Sequence, residues 1–253
     1  MFAEVHRAAA PSFVVASIPH GGRQWPESAA EDLVVAPESV VSDWHTPELY
    51  SFLADVGVDA VENRASRFVA DPNRDPSTGF GSINNHVVAD TDFRGTRLYR
   101  RHLTPGDVSA RVALAHAPYH EALDLLAGEA VARHGRVLVL DLHCFGADVD
   151  ADIVIGDGWG TTASSATVAA VEHVLEHQGF RTVRNQKFPG GWIVRRHGRP
   201  PVREAIQLEL NARTYIDPDT ARGVFGLPPY DARFEAVQQR LRSALAALPQ
   251  LLN

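Results

Sequence analysis

The run Val137-Leu138-Val139-Leu140-Asp141 constrains this chain more than any other feature. It follows Gly135, is short and rich in aliphatic and β-branched residues, and leads into Leu142-His143-Cys144-Phe145-Gly146. Such a run predicts a strand, Val137 to Asp141, in the middle of a sheet covered by helices on both sides. Polar groups just past the carboxyl end of a central strand are where open α/β sheets carry their sites. Taken alone, Asp141 and His143 read as a hydrogen-bonded pair closing a strand. The same pattern recurs elsewhere in the chain, and that moves the reading towards chemistry.

Phe13 to Pro19 is a second apolar run, ending on His20-Gly21-Gly22, where glycines permit a sharp turn. Ala205 to Leu210 is a third and carries Glu209. Between them, Thr46 reads as a helix N-cap with Pro47 first in the helix. Leu49, Phe52, Leu53 and Val56 mark its apolar face, and Gly57 its end. Strand-like alternation over 58–70 runs into a turn, Asp71-Pro72-Asn73-Arg74-Asp75-Pro76, and then a long loop over 79–92. A second helix starts at Thr104-Pro105 with Asp107 in its first turn and runs towards His134, kinked at Pro118. Further on, strands are predicted at 151–155 and 180–185, a helix at 164–178, and an edge strand after Gly190-Gly191. A closing amphipathic helix spans 231–248. Alternating strands and helices without repeat or linker predict one three-layer αβα domain over residues 1–253, with a mixed, mostly parallel central sheet.

Composition excludes some classes of function. A net charge of −7 over 253 residues argues against general affinity for nucleic acid or an anionic membrane, and no apolar run reaches membrane-spanning length. The single cysteine, Cys144, leaves no intrachain disulfide, and the first residues lack a signal-peptide pattern, so the cytoplasm is the expected location.

Three strands thus end in or carry His20, His143 and Glu209. Two imidazoles and one carboxylate, with the fourth position left to water, are a usual ligand set for a hydrolytic zinc. Asp43 is the candidate carboxylate, with His45 and Glu48 as alternatives. Glu209 remains outside the set, free to act as a base.

At this point the chain resembles the N-formylglutamate amidohydrolase (deformylase) family, whose fold is related to zinc carboxypeptidases. The resemblance rests on Pro19-His20-Gly21-Gly22, Asp43-Trp44-His45, Ser66 to Arg74 (SRFVADPNR), Gly95 with Leu98-Tyr99, and Arg111 with Tyr119-His120. Asp141-Leu142-His143, Gly190-Gly191-Trp192, His197-Gly198-Arg199-Pro200 and Gln207-Leu208-Glu209-Leu210 complete it. It implies a carboxypeptidase-like αβα fold and one zinc ion held by His20, Asp43 and His143. Glu209 is implied as general base, and Arg67 as the group polarising the scissile carbonyl. Asn73 and Arg74, aided by Arg94 or Arg97, would grip a small carboxylate substrate, with His120 and Gly191 lining the site. Guanidinium suits both arginine roles because its fork matches a carboxylate and stays charged. The implied activity is deformylation of N-formyl-L-glutamate, in histidine degradation. A peptidase or another N-acyl amidase on the same scaffold is the alternative, and a non-catalytic binding protein the second.

Several departures and decoys bear on this. Carboxypeptidase-like sites usually place Glu three residues after the first histidine; here that residue is Arg23. The family often has Ser after each motif histidine; here Gly21 and Cys144 stand there. His116 and His120 share a helix face, but Pro118 lies between them and no Glu follows His116, so no zinc-protease helix motif is present. Asp148, Asp150 and Asp152 start like a calcium loop, but Ile153 replaces the required Gly and Trp159 the required Glu. Cys144 and His143, adjacent on a strand, point to opposite faces and make a poor nucleophile pair. Arg195, Arg196 and Arg199 read mainly as a solvated patch.

Overall fold

Seven strands form the main sheet: β1 (Ala3–His6), β2 (Val14–Ile18), β3 (Asp59–Asn63), β6 (Val137–Phe145), β7 (Ile153–Gly156), β8 (Thr182–Arg184) and β9 (Arg203–Asn211). Two-residue strands β4 (Phe80–Gly81) and β5 (Val88–Ala89) pair separately within the loop expected over 79–92. The computed structural model describes residues 2–40, 42–146, 148–217, 219 and 226–252. The main sheet runs β1-β3-β2-β6-β9-β7-β8. Strands β3, β2, β6 and β9 are mutually parallel neighbours, while β1 and β7 pair antiparallel at either side. The architecture is α/β, a mixed, mostly parallel sheet between helical layers.

The two faces of the sheet differ in a way that makes the site. On one face Val14, Ala16, Ile18, Leu138, Leu140, Leu142, Ile206, Leu208 and Leu210 pack with helix α5 (Ser165–His177) and the helix Phe234–Leu251 in an apolar core. On the other, Val15, Val137, Val139 and Ala205 pack with Tyr119, Leu123 and Leu126 of helix α4 (Ala117–His134). Each such side chain removed from water contributes about 1.5–3 kcal/mol. Because strand side chains alternate, the residues that continue this second face towards the carboxyl ends are Ser17, Asp141, His143, Gln207 and Glu209. The register aligns Ser17 with Asp141, Asp141 with Gln207, and His143 with Glu209. One sheet face is therefore apolar at its lower half and polar, though still buried, at its upper half.

The local elements follow the sequence signals with four corrections. Strand β6 extends four residues past Asp141, so His143 lies on the strand and not after it. The helix expected from Thr46 is one turn, Thr46–Leu49, capped by His45 in a left-handed conformation (φ 61°) and followed by a 3-10 turn, Leu53–Val56. The irregularity near Pro118 is a π turn, Val112–His116, between helix α3 (Pro105–Arg111) and α4; it lies in the turn before Pro118, where the proline has no N–H to give and its ring crowds the preceding carbonyls. The Thr104–Asp107 capping box is present as expected. The edge strand expected after Gly191 is instead helix α6, Trp192–His197. Its start is held from outside, since Asn73 Oδ1 accepts from Ile193 N at 2.9 Å and Gln207 Oε1 from Gly191 N at 2.8 Å. Ile193 and Val194 are then buried against α4. Among the described residues, no helix is long and apolar enough to cross a membrane.

Candidate metal centre and active site

His20 follows β2 by two residues, His143 is on β6, and Asp43 comes from the loop before His45. One ligand atom from each lies within 4.8 Å of the others. The imidazole centroids of His20 and His143 are 4.6 Å apart. Both rings are oriented alike. His20 Nε2 donates to Asp71 Oδ1 at 2.7 Å, and its Nδ1 stands 3.5 Å from Asp43 Oδ1. His143 Nε2 donates to Asp141 Oδ2 at 2.9 Å, and its Nδ1 meets Asp43 Oδ2 at 3.0 Å. Each ring thus presents Nδ1 to the common point while a buried carboxylate fixes the opposite nitrogen, the arrangement that orients histidine ligands and raises their basicity.

The backbone delivers Asp43 with some strain. Asp43 itself has φ 44°, and His45 two residues on has φ 61°. Asp43 Oδ2 also accepts from Cys144 N at 3.1 Å, and Trp44 O accepts from the Tyr215 hydroxyl at 2.7 Å. Of the other two carriers considered for the third ligand, His45 turns its Nε2 to Pro228 O at 2.7 Å and Glu48 faces Arg23 at 3.6 Å. Position 21 has no room for a side chain, because a Cβ there would lie 2.3 Å from Pro47 Cδ. The departure from Ser at Gly21 therefore goes with a proline closing on that turn. Burial pushes the Cys144 thiol well up, and its sulfur contacts Trp44 O at 3.7 Å.

Electrostatics favour a cation here. Burial alone would raise the Asp43 carboxyl, but the imidazoles of His20 and His143 hold it well below the usual carboxylate range. Burial likewise opposes charge on His143, yet Asp141 and Asp43 keep its imidazole pKa well above the ordinary value. Asp71 is buried too and held low chiefly by Arg67 and His20. The donor set suits a divalent metal: two imidazole nitrogens and a carboxylate, buried, with supported rings. The proton that His143 shares with Asp43 is the one such an ion would displace.

Around this cluster stand the other candidates. Glu209 is buried beside His143 across β6 and β9, accepts from Gln207 Nε2 at 2.8 Å, and is pushed up to about 8, mainly by burial. Arg67 ion-pairs with Asp71 and brings Nη1 to 3.1 Å from His20 Nδ1, with Phe93 over its guanidinium at 5.3 Å. Asn73 places Nδ2 3.2 Å from His143 Nε2 and 3.4 Å from Gln207 Oε1. Gly191 packs directly on the Asn73 carboxamide. Arg74 donates to Asn73 O and Ile83 O, and its buried Nε has no hydrogen-bond partner among the described residues. Burial lowers the Arg74 pKa.

Three candidates lie differently. Arg97 is turned to the carbonyls of Tyr99 and Arg100, and Arg94 pairs with Asp92 on an exposed turn. His120 donates to Pro72 O at 2.9 Å, so it meets the Asn73–Arg74 segment through the backbone. Sequence reading assigned no role to Asp71 or Gln207. Asp71 was hidden in a turn-forming segment, whereas Gln207 could have been found two residues before Glu209 on the same face of the strand.

Comparison with known proteins gives a consistent set. A family model described as N-formylglutamate amidohydrolase matches residues 12–216. N-formylglutamate deformylase of Pseudomonas aeruginosa is 29% identical over 244 residues, spanning 91% of each chain. The protein of the same name from Pseudomonas putida is 29% identical over 215 residues, 79% of this chain and 80% of that one. The crystal structure of N-formylglutamate amidohydrolase from Ralstonia eutropha JMP134 superposes with a TM-score of 0.85 at 24% identity, covering 98% of this chain and 97% of that one. The Agrobacterium tumefaciens gene product Atu2144 does so at 0.73 and 16% identity, covering 99% and 95%.

Proposed function

Since the chain belongs to the N-formylglutamate amidohydrolase family, we propose that it is a zinc-dependent amidohydrolase that releases formate from N-formyl-L-glutamate. The observation that carries this reading is the pair of imidazoles, each turned by a buried carboxylate so that both Nδ1 atoms face Asp43, with Glu209 on the neighbouring strand. The names of the two Pseudomonas relatives support the substrate.

His20, Asp43 and His143 would hold the ion. A divalent cation there supplies a Lewis acid and brings the pKa of a water within reach of neutral pH. Glu209 takes the proton of the attacking water and returns it to the departing amide nitrogen. Burial pushes the Glu209 carboxyl up to about 8, so without metal it rests as the acid; a cation held by His20, Asp43 and His143 would draw it towards the carboxylate that the first half of the exchange needs. Arg67, beside His20, is a fixed cation aimed at the region where negative charge develops on the carbonyl oxygen. Arg74 Nη1 and Nη2 each give one N–H to a carbonyl and keep another for the substrate carboxylate, and Asn73 lies between it and the cluster. Arg94 and Arg97 are the further candidates for holding that carboxylate. The cytoplasm and histidine degradation are the setting this reading implies.

The experiment is formate release from N-formyl-L-glutamate by protein of measured zinc content, alongside a panel of N-acyl amino acids and short peptides. Turnover of another panel member in place of N-formyl-L-glutamate would move the substrate but keep the hydrolase. No turnover of any by metal-replete protein would favour a binding protein.

A further inference from the structure

A group of buried histidines stands outside the chemistry above. His116, His120 and His197 form one stack: His116 and His120 have ring centroids 4.5 Å apart, and His120 and His197 lie parallel at 5.5 Å. They sit behind the turn Asp71–Arg74, which Arg74 N closes by donating to Asp71 O at 3.1 Å. That turn presents Asp71 to His20, Asn73 to His143 and Gln207, and Arg74 to the substrate side.

All four carbonyls of the turn are engaged. Asp71 O takes the closing bond, and Asn73 O accepts from Arg74 Nη1 at 2.9 Å. Pro72 O accepts from His120 Nε2 at 2.9 Å, and Arg74 O from His116 Nε2 at 3.0 Å. The i,i+4 spacing of the two imidazoles, set where the π turn Val112–His116 meets α4, puts both donors on one side of the turn.

The protons run in one direction. A carbonyl can only accept, so His116 and His120 each carry hydrogen on Nε2. His120 Nδ1 is then an acceptor, and His197 Nε2 donates to it at 3.3 Å. Among the described residues His197 Nδ1 is left buried without a hydrogen bond, 3.5 Å from Asp124 Oδ1.

We propose that His116 and His120, backed by His197, are positioning residues that fix the Asp71–Arg74 turn and thereby set the affinity for the substrate carboxylate without touching substrate. The inference rests on the reading of Asn73 and Arg74 as the carboxylate grip. Burial disfavours charge on all three rings at neutral pH: His116 is lowered from its ordinary value, His120 falls to about 3 and His197 to about 4. The donors therefore stay on Nε2 at neutral pH.

Two measurements test this. Long-range nitrogen–proton NMR of the metal-loaded wild-type protein should show these three imidazoles as neutral Nε2–H tautomers at about pH 7 to 8. A ring that is charged there, or carries its hydrogen on Nδ1, overturns the proposal whatever the substrate proves to be. In kinetics on N-formyl-L-glutamate, His116→Ala should raise KM about tenfold, as expected for one lost bond to a buried carbonyl, with kcat within about twofold. His116→Gln, which restores an N–H at similar reach, should bring KM back to within about threefold. An unchanged KM in His116→Ala, or a Gln variant no better than Ala, overturns it. Absence of turnover in the wild type counts against the proposed activity, and the NMR result then decides the clamp alone.

Discussion

Replacing Gly191 with alanine places the new methyl 2.1 Å from Asn73 Oδ1, 2.3 Å from Nδ2 and 2.4 Å from Cγ. The carboxamide must retreat by about 1.3 Å or more to reach ordinary contact. That breaks the 2.9 Å bond to Ile193 N that starts α6 and loosens the 3.4 Å contact with Gln207. Overpacking costs about 1–3 kcal/mol and a stranded buried donor a further 1–3, so the expected loss is about 2–6 kcal/mol. Chemical denaturation reads the loss, and kinetics on N-formyl-L-glutamate read a rise in KM, since Asn73 carries Arg74 with it. The decisive arm is a double-mutant cycle. In an Asn73→Ala background the same glycine change should cost less than about 1 kcal/mol, because the atoms it strikes are gone. Equal cost in both backgrounds would refute the contact, and a Gly191→Ala protein with wild-type stability and KM would refute the whole chain of reasoning.

Other outcomes follow from the same geometry. Glu209→Gln should reduce kcat by about 10²–10⁴-fold or more while zinc content by elemental analysis is unchanged; retained turnover removes Glu209 from its role. The same variant has a pH signature in the metal-free protein. Glu209 is raised from 4.5 to about 8, so the neutral acid is what the fold favours. That contribution is full below about pH 4.5 and is lost as pH rises through 8. The melting-temperature gain of Glu209→Gln over wild type should therefore grow between pH 5 and 8, and a flat difference would contradict the buried, desolvated carboxyl. Asp141→Asn removes the charged partner of His143 Nε2, and zinc affinity measured by chelator competition should fall about 10–100-fold. Zinc at 100 times its dissociation constant should stabilise the wild-type protein by about 2.7 kcal/mol.

Much of this was legible in the chain itself. The apolar runs of β2, β6 and β9, the helix caps at Thr104 and Ser164, and the polar residues placed at strand ends are local signals, because period and capping depend on residues only a few positions apart. From them came the α/β architecture and the pairing of His20 and His143 with Glu209. Other features depended on residues far apart in sequence. Local propensity made Trp192–Val194 a strand, whereas the side chains of Asn73 and Gln207, from two other segments, satisfy the amides that start a helix there. That Asp43, and not His45 or Glu48, stands beside the two imidazoles turned on two left-handed backbone residues and on where Pro228 and Arg23 lie. Asp71 read as a turn former until the fold set it against His20. Short-range patterning determines which elements form and which face is buried. Which buried polar atoms find partners is decided only when distant strands and turns close on one another, and in this protein those partnerships orient the site.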